Sequence, residues 1–293
     1  MEHVSFRFRL EYWGYKLFEA LIVSIPDRIL PAVATVLAGF VFHVVRIRRQ
    51  VTLQNLAQAF PDHTSHWHRQ VGYQSYRHFV LVISQFMKMA RWDADKLYNL
   101  VTESDVDNFL NDYQKNHGVV VVSGHFGNWE VGIGYLHLLG IRSAVIQQRQ
   151  KNPLVDAHMR RLRERWGMEV IYTHGAVRNS LSRLKQGKLV ALLGDQDAGD
   201  RGVFVPFFKR FSSTHVGAAI LSLKSQAPLY FAACIRKPDG HYHLHMEKVF
   251  DSTMDVVNRE NVQKITAEFT ARLESWIRRY PEQYFWMHRR WKT

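Results

Sequence analysis

The run GVVVVSGHFGNWE, residues 118–130, constrains this chain more than any other stretch. Four consecutive valines favour extended backbone and present no polar face, so the segment is predicted to be a buried strand. Its exit is unusual for a core strand. His125 follows at once, flanked by Gly124 and Gly127, and Glu130 comes five residues later. A buried strand that ends in two ionisable groups needs a chemical reason for them.

The sequence after this strand keeps alternating. Asn128 can cap a helix reaching about Leu139. A strand is predicted over 142–147, a helix over 153–166 with Pro153 in its first turn, and a short strand over 169–172. A helix over 176–185, closed by Gly187, leads to a strand over 189–193. A helix is expected over 214–226, strands over 229–235 and 242–249, and a last helix over 261–279. This pattern predicts an α/β fold, a mixed central sheet covered by helices. Upstream, 50–90 reads as helical with a break at Pro61, and 91–117 as polar sequence, helical with loops. The chain of 293 residues divides into an apolar N-terminal helical segment, 1–49, and a body, 50–293, long enough for a sizeable core.

The N-terminal segment is the other strong compositional signal. From Tyr12 to Val45 the sequence is mostly apolar, interrupted by Pro26, Asp27, Arg28 and Pro31, and closed by Arg46, Arg48 and Arg49. The uncharged stretch 29–45 is at the short end for a bilayer span. A cleaved leader fits poorly, because the apolar run starts late and leads straight into arginines. Three readings stand: a single span with the body cytoplasmic, an amphipathic hairpin lying in the membrane interface, or a buried helical pair. A net charge of +13 points to anionic partners. The single cysteine, Cys234, rules out an internal disulfide or a cysteine-rich metal site and reads as a small core residue.

In open α/β sheets ligands sit beyond the carboxyl ends of the strands, where His125 is expected. Glu130 would fall in the first turn of the next helix and fold back toward the imidazole. A carboxylate on one ring nitrogen fixes the tautomer and leaves the other nitrogen to take a proton. Such a base contributes typically about 10²–10⁴ in rate. No G-x-S-x-G elbow, phosphate-binding loop or dinucleotide fingerprint accompanies it. His241, His243 and His245 alternate as on a strand face, but no carboxylate in the local sequence completes a metal set. No metal and no cofactor are expected. The absence of a nucleic-acid-binding motif argues against nucleic acid despite the charge.

The motif has company. RRQVTLQNLAQAFP (48–61) lies upstream, and QRQKNPLVDAHMRRLRERWG (148–167), LLGDQDAG (192–199), VFVPFFKR (203–210) and PEQYFWMHRRWK (281–292) follow in order. Together with HFGNWE they resemble the lipid A biosynthesis lauroyl/myristoyl acyltransferase family, of the lysophospholipid acyltransferase-like superfamily, over nearly the whole chain. The resemblance implies a glycerolipid-acyltransferase-like fold. It implies acyl transfer from acyl carrier protein, as co-substrate, to a hydroxyl of a phosphorylated glucosamine lipid precursor. The place implied is the cytoplasmic face of the bacterial inner membrane, with an anionic surface as further partner. A lysophospholipid or another glycolipid is the competing acceptor.

On this reading His125 is the general base and Glu130 orients it. Backbone N–H groups near Gly127 and Asn128 would hold the oxyanion. Arg163 and Arg149 match family arginines suited to phosphate or phosphopantetheine, although the family often has proline where Gln150 stands. Asp195 matches an acidic position and is expected to position Arg163 or accept a sugar hydroxyl, with Asp197 beside it. VFVPFFKRF is expected either to dip into the membrane or line the acyl tunnel, or to pack as a core strand and turn.

Overall fold

The computed structural model describes residues 5–115, 118–251 and 256–293. Its centre is the valine strand. Val119 and Val121 face one helical layer, Val120 and Val122 the other, and all four are buried. Each contributes roughly 1.5–3 kcal/mol by leaving water. That two-sided burial is why the strand lacks hydrophobic alternation.

In chain order the elements are α1 (Phe6–Ser24), α2 (Leu30–Gly39), which continues into a π-helical turn (Phe40–Val45), α3 (Arg49–Ala59), α4 (Ser65–Lys88) and α5 (Ala94–Leu100). Then come β1 (Val101–Asp105), α6 (Asp107–Lys115), β2 (Val119–Ser123), α7 (Trp129–Leu138), β3 (Ser143–Gln147), α8 (Pro153–Arg165) and β4 (Met168–Tyr172). They are followed by α9 (Ala176–Lys185), β5 (Leu189–Leu193), β6 (Val203–Phe207), β7 (Arg210–Thr214), α10 (Gly217–Ser225), β8 (Leu229–Arg236), β9 (Tyr242–Phe250) and α11 (Arg259–Arg279).

Seven strands form one sheet in the order β1-β9-β8-β2-β5-β3-β4. Strands β8, β2, β5, β3 and β4 run parallel, while β9 is antiparallel to β8 and carries β1 parallel to itself at the margin. The expected mixed sheet covered by helices is the architecture observed. Helices α5 and α7 cover one face, and α9, α10 and α11 the other.

Two elements differ from the sequence reading. β1 lies inside the polar stretch 91–117; its burial is one-sided at best, so it lacks the apolar run that marks a core strand. Thr214 ends a strand rather than starting a helix, because β6 and β7 pair as an antiparallel hairpin from Val203↔Thr214 to Phe207↔Arg210. The hairpin turns through Phe208 and Lys209, both at positive φ. Phe207 and Phe208 are buried against Phe60, Trp286 and Trp291, whereas Phe204 and Phe211 are exposed. Of the two readings of this segment, core packing holds for the turn itself.

The N-terminal helices pack on the body at defined points. Asn152, the cap of α8, donates to the Phe8 carbonyl (2.9 Å) and to Glu11 (3.1 Å). Buried Glu19 meets His158 of α8 at 2.7 Å. α2 packs on α4 through Leu30, Ala34 and Leu81. No single helix among the described residues is long and apolar enough to cross a membrane; the bent pair 30–45 and 49–59, at 98°, passes that test only when joined.

Candidate active site

β2 and β5 are parallel neighbours with a register that pairs Ser123 with Leu193. Two residues further on each chain stand His125 and Asp195. The pairing therefore delivers both side chains to the same point beyond the carboxyl edge. Gly194 N–H donates to the Ser123 carbonyl at 2.9 Å and carries the register into the turn.

His125 Nδ1 lies 2.8 Å from Asp195 Oδ1. The carboxylate is buried and the ring partly so. Burial pulls the imidazole's proton affinity down. The charge and hydrogen bond of Asp195, joined by the charge of Glu130, outweigh it and hold the His125 pKa above its ordinary value. Burial alone would raise the Asp195 carboxyl, yet His125 holds it below the usual range. Trp129 packs edge-on to the ring at 5.2 Å and Phe285 lies against it at 5.9 Å.

The orienting carboxylate is thus Asp195, not Glu130. Asn128 does cap α7, its Oδ1 accepting from Val131 N–H at 3.2 Å, and Glu130 sits in the first turn as expected. From there it turns to Arg163 of α8. Arg163 Nε donates to Glu130 Oε2 at 3.1 Å, Nη2 donates to Oε1, and Nη1 reaches Gln147 Oε1 at the end of β3. Trp129 Nε1 donates to the same carboxylate at 3.1 Å. Glu130 acts on His125 through its charge alone. Arg163 is largely but not fully buried; although burial lowers its pKa, Glu130 more than compensates. Asp195 does not touch Arg163, a second departure from the sequence reading: residue 195 follows β5, whereas Arg163 is held by α7 and β3.

Gly127 and Asn128 present no oxyanion donors. Gly127 N–H is taken by the Gln283 carbonyl (3.0 Å) and Asn128 N–H by that of Cys234 (2.8 Å). Gly127 has φ +61° and its backbone lies so near Cys234 that a Cβ would stand 2.1 Å from the carbonyl oxygen. Glycine is required there for close approach, not for catalysis. Asn128 is wholly buried, its amide shared with Gln85 and Tyr242. Buried His78, pushed down to about 4 by desolvation, holds the Gly127 carbonyl at 3.0 Å.

Arg149 lies outside the catalytic group, its guanidinium 4.3 Å above the Tyr172 ring and exposed. Asp197 is also elsewhere: its backbone N–H meets His288 Nε2 at 3.1 Å and its carboxylate accepts from Thr293 at 3.1 Å. It anchors the C-terminal segment. That segment closes one side of the site, with Phe285 N–H donating to the His125 carbonyl at 3.0 Å.

A cavity of about 670 Å³ opens at His125, Glu130 and Arg163. Its apolar wall on the α7 side includes Val121, Gly132, Leu136, Ala232 and Leu244. Further wall comes from Ile146, Leu192 and Leu221 on the opposite face. Both faces contribute because β3 and β5 pair only as far as Val145↔Ala191, while β3 continues to Gln147 and β5 to Leu193. The sheet splits there. Cys234 lines the apolar part, buried, and desolvation pushes its thiol up, which removes it as a nucleophile at neutral pH. Gln147, Trp129 and His215 line the cavity without having been singled out from sequence. Trp129 stood inside the quoted motif; Gln147 could have been found as the last residue of a predicted strand.

A carboxylate-held imidazole at the mouth of a mostly apolar cavity can deprotonate a hydroxyl on a substrate with a long apolar part. The chain matches the model of the bacterial lipid A biosynthesis acyltransferases over residues 3–293, and it belongs to that family. It is an acyltransferase. The lipid A biosynthesis palmitoleoyltransferase of Escherichia coli is 26% identical over 277 residues, covering 93% of this chain and 88% of the relative. The lipid A biosynthesis lauroyltransferase of the same organism is 24% identical over 280 residues, with coverages of 93% and 88%. A looser likeness, at 14% identity and a TM-score of 0.37, is to the solved 1-acyl-sn-glycerophosphate acyltransferase of Thermotoga maritima, covering 85% of this chain and 98% of that one.

Proposed function

We propose that this enzyme transfers a fatty acyl chain from acyl carrier protein to a hydroxyl of a phosphorylated glucosamine lipid, at the cytoplasmic face of the inner membrane. The observation that carries the reading is the His125–Asp195 pair opening onto the apolar cavity. The acyl chain of the thioester lies in the cavity. His125 Nε2 takes the proton of the acceptor hydroxyl, whose oxygen attacks the thioester carbonyl. The tetrahedral intermediate expels the carrier's thiolate, and the imidazolium returns the proton to that sulfur. Asp195 stabilises the imidazolium while it exists. Glu130 supports it at longer range and holds Arg163 in the cavity wall, where the guanidinium meets the anionic parts of either substrate.

Two features support the membrane surface as partner. On α1, Phe6, Leu10, Trp13, Leu17 and Leu21 recur at helical spacing and are 58–81% exposed. Val36, Phe40, Val44 and Ile47, further along the N-terminal segment, are exposed as well, and so are Arg7, Arg9, Arg28, Arg46 and Arg48. Exposed apolar side chains of this density in a segment that also exposes several arginines suit an anionic interface. α1 also packs on α8, the helix that carries Arg163, so the membrane-facing helix and the site share one support.

The test is acyl transfer from acyl carrier protein to a tetra-acylated lipid A precursor by purified enzyme. His125→Ala is expected to lower the rate by about 10²–10⁴. A fully active His125→Ala variant, or a wild type that acylates only lysophospholipid, would count against the reading.

A further inference from the structure

At the far margin of the sheet, β1 and β9 meet in parallel register with Glu103 opposite His243 and Asp105 opposite His245. The two histidines are two residues apart on a strand and so share one face. Asp105 Oδ2 lies 2.8 Å from His243 Nε2 and 2.8 Å from His245 Nδ1. The three ligand-capable atoms all lie within 4.8 Å of one another. Around one zinc ion, imidazole nitrogens sit at about 2.0–2.1 Å and carboxylate oxygens at about 2.0–2.2 Å, which sets ligand atoms roughly 3–3.5 Å apart. Small rotations of half-exposed side chains close that difference.

A second observation points the same way. The nitrogen of each ring that faces away from Asp105 has its own carboxylate nearby: Glu103 Oε2 is 3.8 Å from His243 Nδ1, and Glu247 Oε2 is 4.0 Å from His245 Nε2. Metal-binding histidines are held in this way, with the remaining N–H directed at an outer carboxylate. Three carboxylates surround two imidazoles. Lys237 is paired to Glu103 and Arg272 stands 3.8 Å from Glu247, so both engage the outer carboxylates and not Asp105; Arg279, which lines the same hollow, stacks its guanidinium 3.7 Å over the Trp276 ring. The Trp276 ring, 4.8 Å from that of His245, forms an apolar wall. None of the three ligand residues lines the catalytic cavity.

We propose that Asp105, His243 and His245 bind a divalent transition-metal ion, zinc(II) by the fit of two imidazoles and one carboxylate, with water completing the shell. The ion joins the five-residue edge strand β1 to β9 and fixes the margin of the sheet. The carboxylate placed between the two imidazoles arrives from 138 residues upstream of His243 through strand pairing.

The experiment uses tag-free, full-length enzyme stripped with chelator and titrated with zinc(II) by calorimetry, alongside cobalt(II) titration followed by visible absorption. The expected result is one ion per chain, d–d bands of low-coordinate cobalt, and a raised Tm. Affinity should fall at least about 10-fold in His243→Gln and Asp105→Asn, and within about 10–100-fold in Glu247→Gln. His241→Gln should bind as wild type. Wild-type enzyme without saturable zinc binding and without cobalt bands overturns the proposal whatever the variants do. So does binding that is unchanged in both His243→Gln and Asp105→Asn.

Discussion

Asp195 Oδ1 stands 2.8 Å from Nδ1 of His125, and the two residues occupy equivalent positions just past the paired ends of β5 and β2. This relationship lets Asp195, against the burial of the ring and with the charge of Glu130, hold the imidazole pKa above its ordinary value. It also frees Glu130 to hold Arg163.

The pH dependence follows from the raised His125 pKa. In the proposed mechanism His125 accepts a proton and must be neutral, so kcat/KM is expected to rise with pH and level off above that value. Asp195→Asn removes both the opposing charge and the charged hydrogen bond, leaving burial opposed only by the charge of Glu130. The limb should then move to lower pH, with a plateau reduced by an order of magnitude or more. A raised folded-state pKa also means that the protonated ring stabilises the fold most below the ordinary value of about 6.5, a contribution lost as pH rises through the folded value. A pH–rate profile of the two proteins checks the assignment; an unmoved limb contradicts it.

The Glu130–Arg163 pair is bidentate, with Glu130 buried and Arg163 largely so. Removing one partner strands a charge, so Arg163→Ala is expected to cost about 3–5 kcal/mol of stability. Replacing both, as Glu130→Gln with Arg163→Met, should recover most of that stability without recovering activity. Thermal unfolding and turnover measured on the same samples separate the two roles.

The apolar face of α1 should govern membrane residence. Leu10→Glu with Leu17→Glu alters side chains that are mainly exposed, so folding is expected to persist. Sedimentation with anionic vesicles should fall several-fold, and activity on lipid presented in vesicles should fall with it. Unchanged co-sedimentation would detach the face from that role.

Arg290 ties the C-terminal segment to the β6–β7 hairpin, donating to the Ser213 carbonyl at 2.5 Å and to Thr214 Oγ1 at 2.6 Å from a buried position. Arg290→Met keeps much of the packing and loses both bonds. A destabilisation of about 1.5–3 kcal/mol is expected for charged hydrogen bonds left unmade. Denaturant unfolding measures it, and a shift below about 0.5 kcal/mol, the usual size for an inconsequential surface change, would show the segment is held by other means.

Much of the fold was legible in the sequence. The valines of β2, the cap at Asn128, Pro153 at the start of α8 and the spacing of the later strands gave the α/β alternation, because each depends on local backbone preference and on patterns within a few residues. The same local information put His125 at a strand end. It missed β1, whose residues are half polar, and the return strand β7, because the strand and turn allowed over 203–210 give no local sign of it: Phe208 and Lys209 adopt positive φ without glycine.

What the sequence determined by itself was the inventory: a histidine beyond a buried strand, acids and arginines in order, an apolar basic N-terminus. Only the tertiary structure decided the pairing among them. Strand order is set by long-range packing, and the insertion of β5 between β2 and β3 brought a carboxylate 70 residues away onto the ring of His125 while the nearer Glu130 was drawn to Arg163. The parallel pairing of β1 with β9 likewise set Asp105 between two histidines. Local sequence carries no record of which strands will lie side by side, and in both places that adjacency fixed the chemistry.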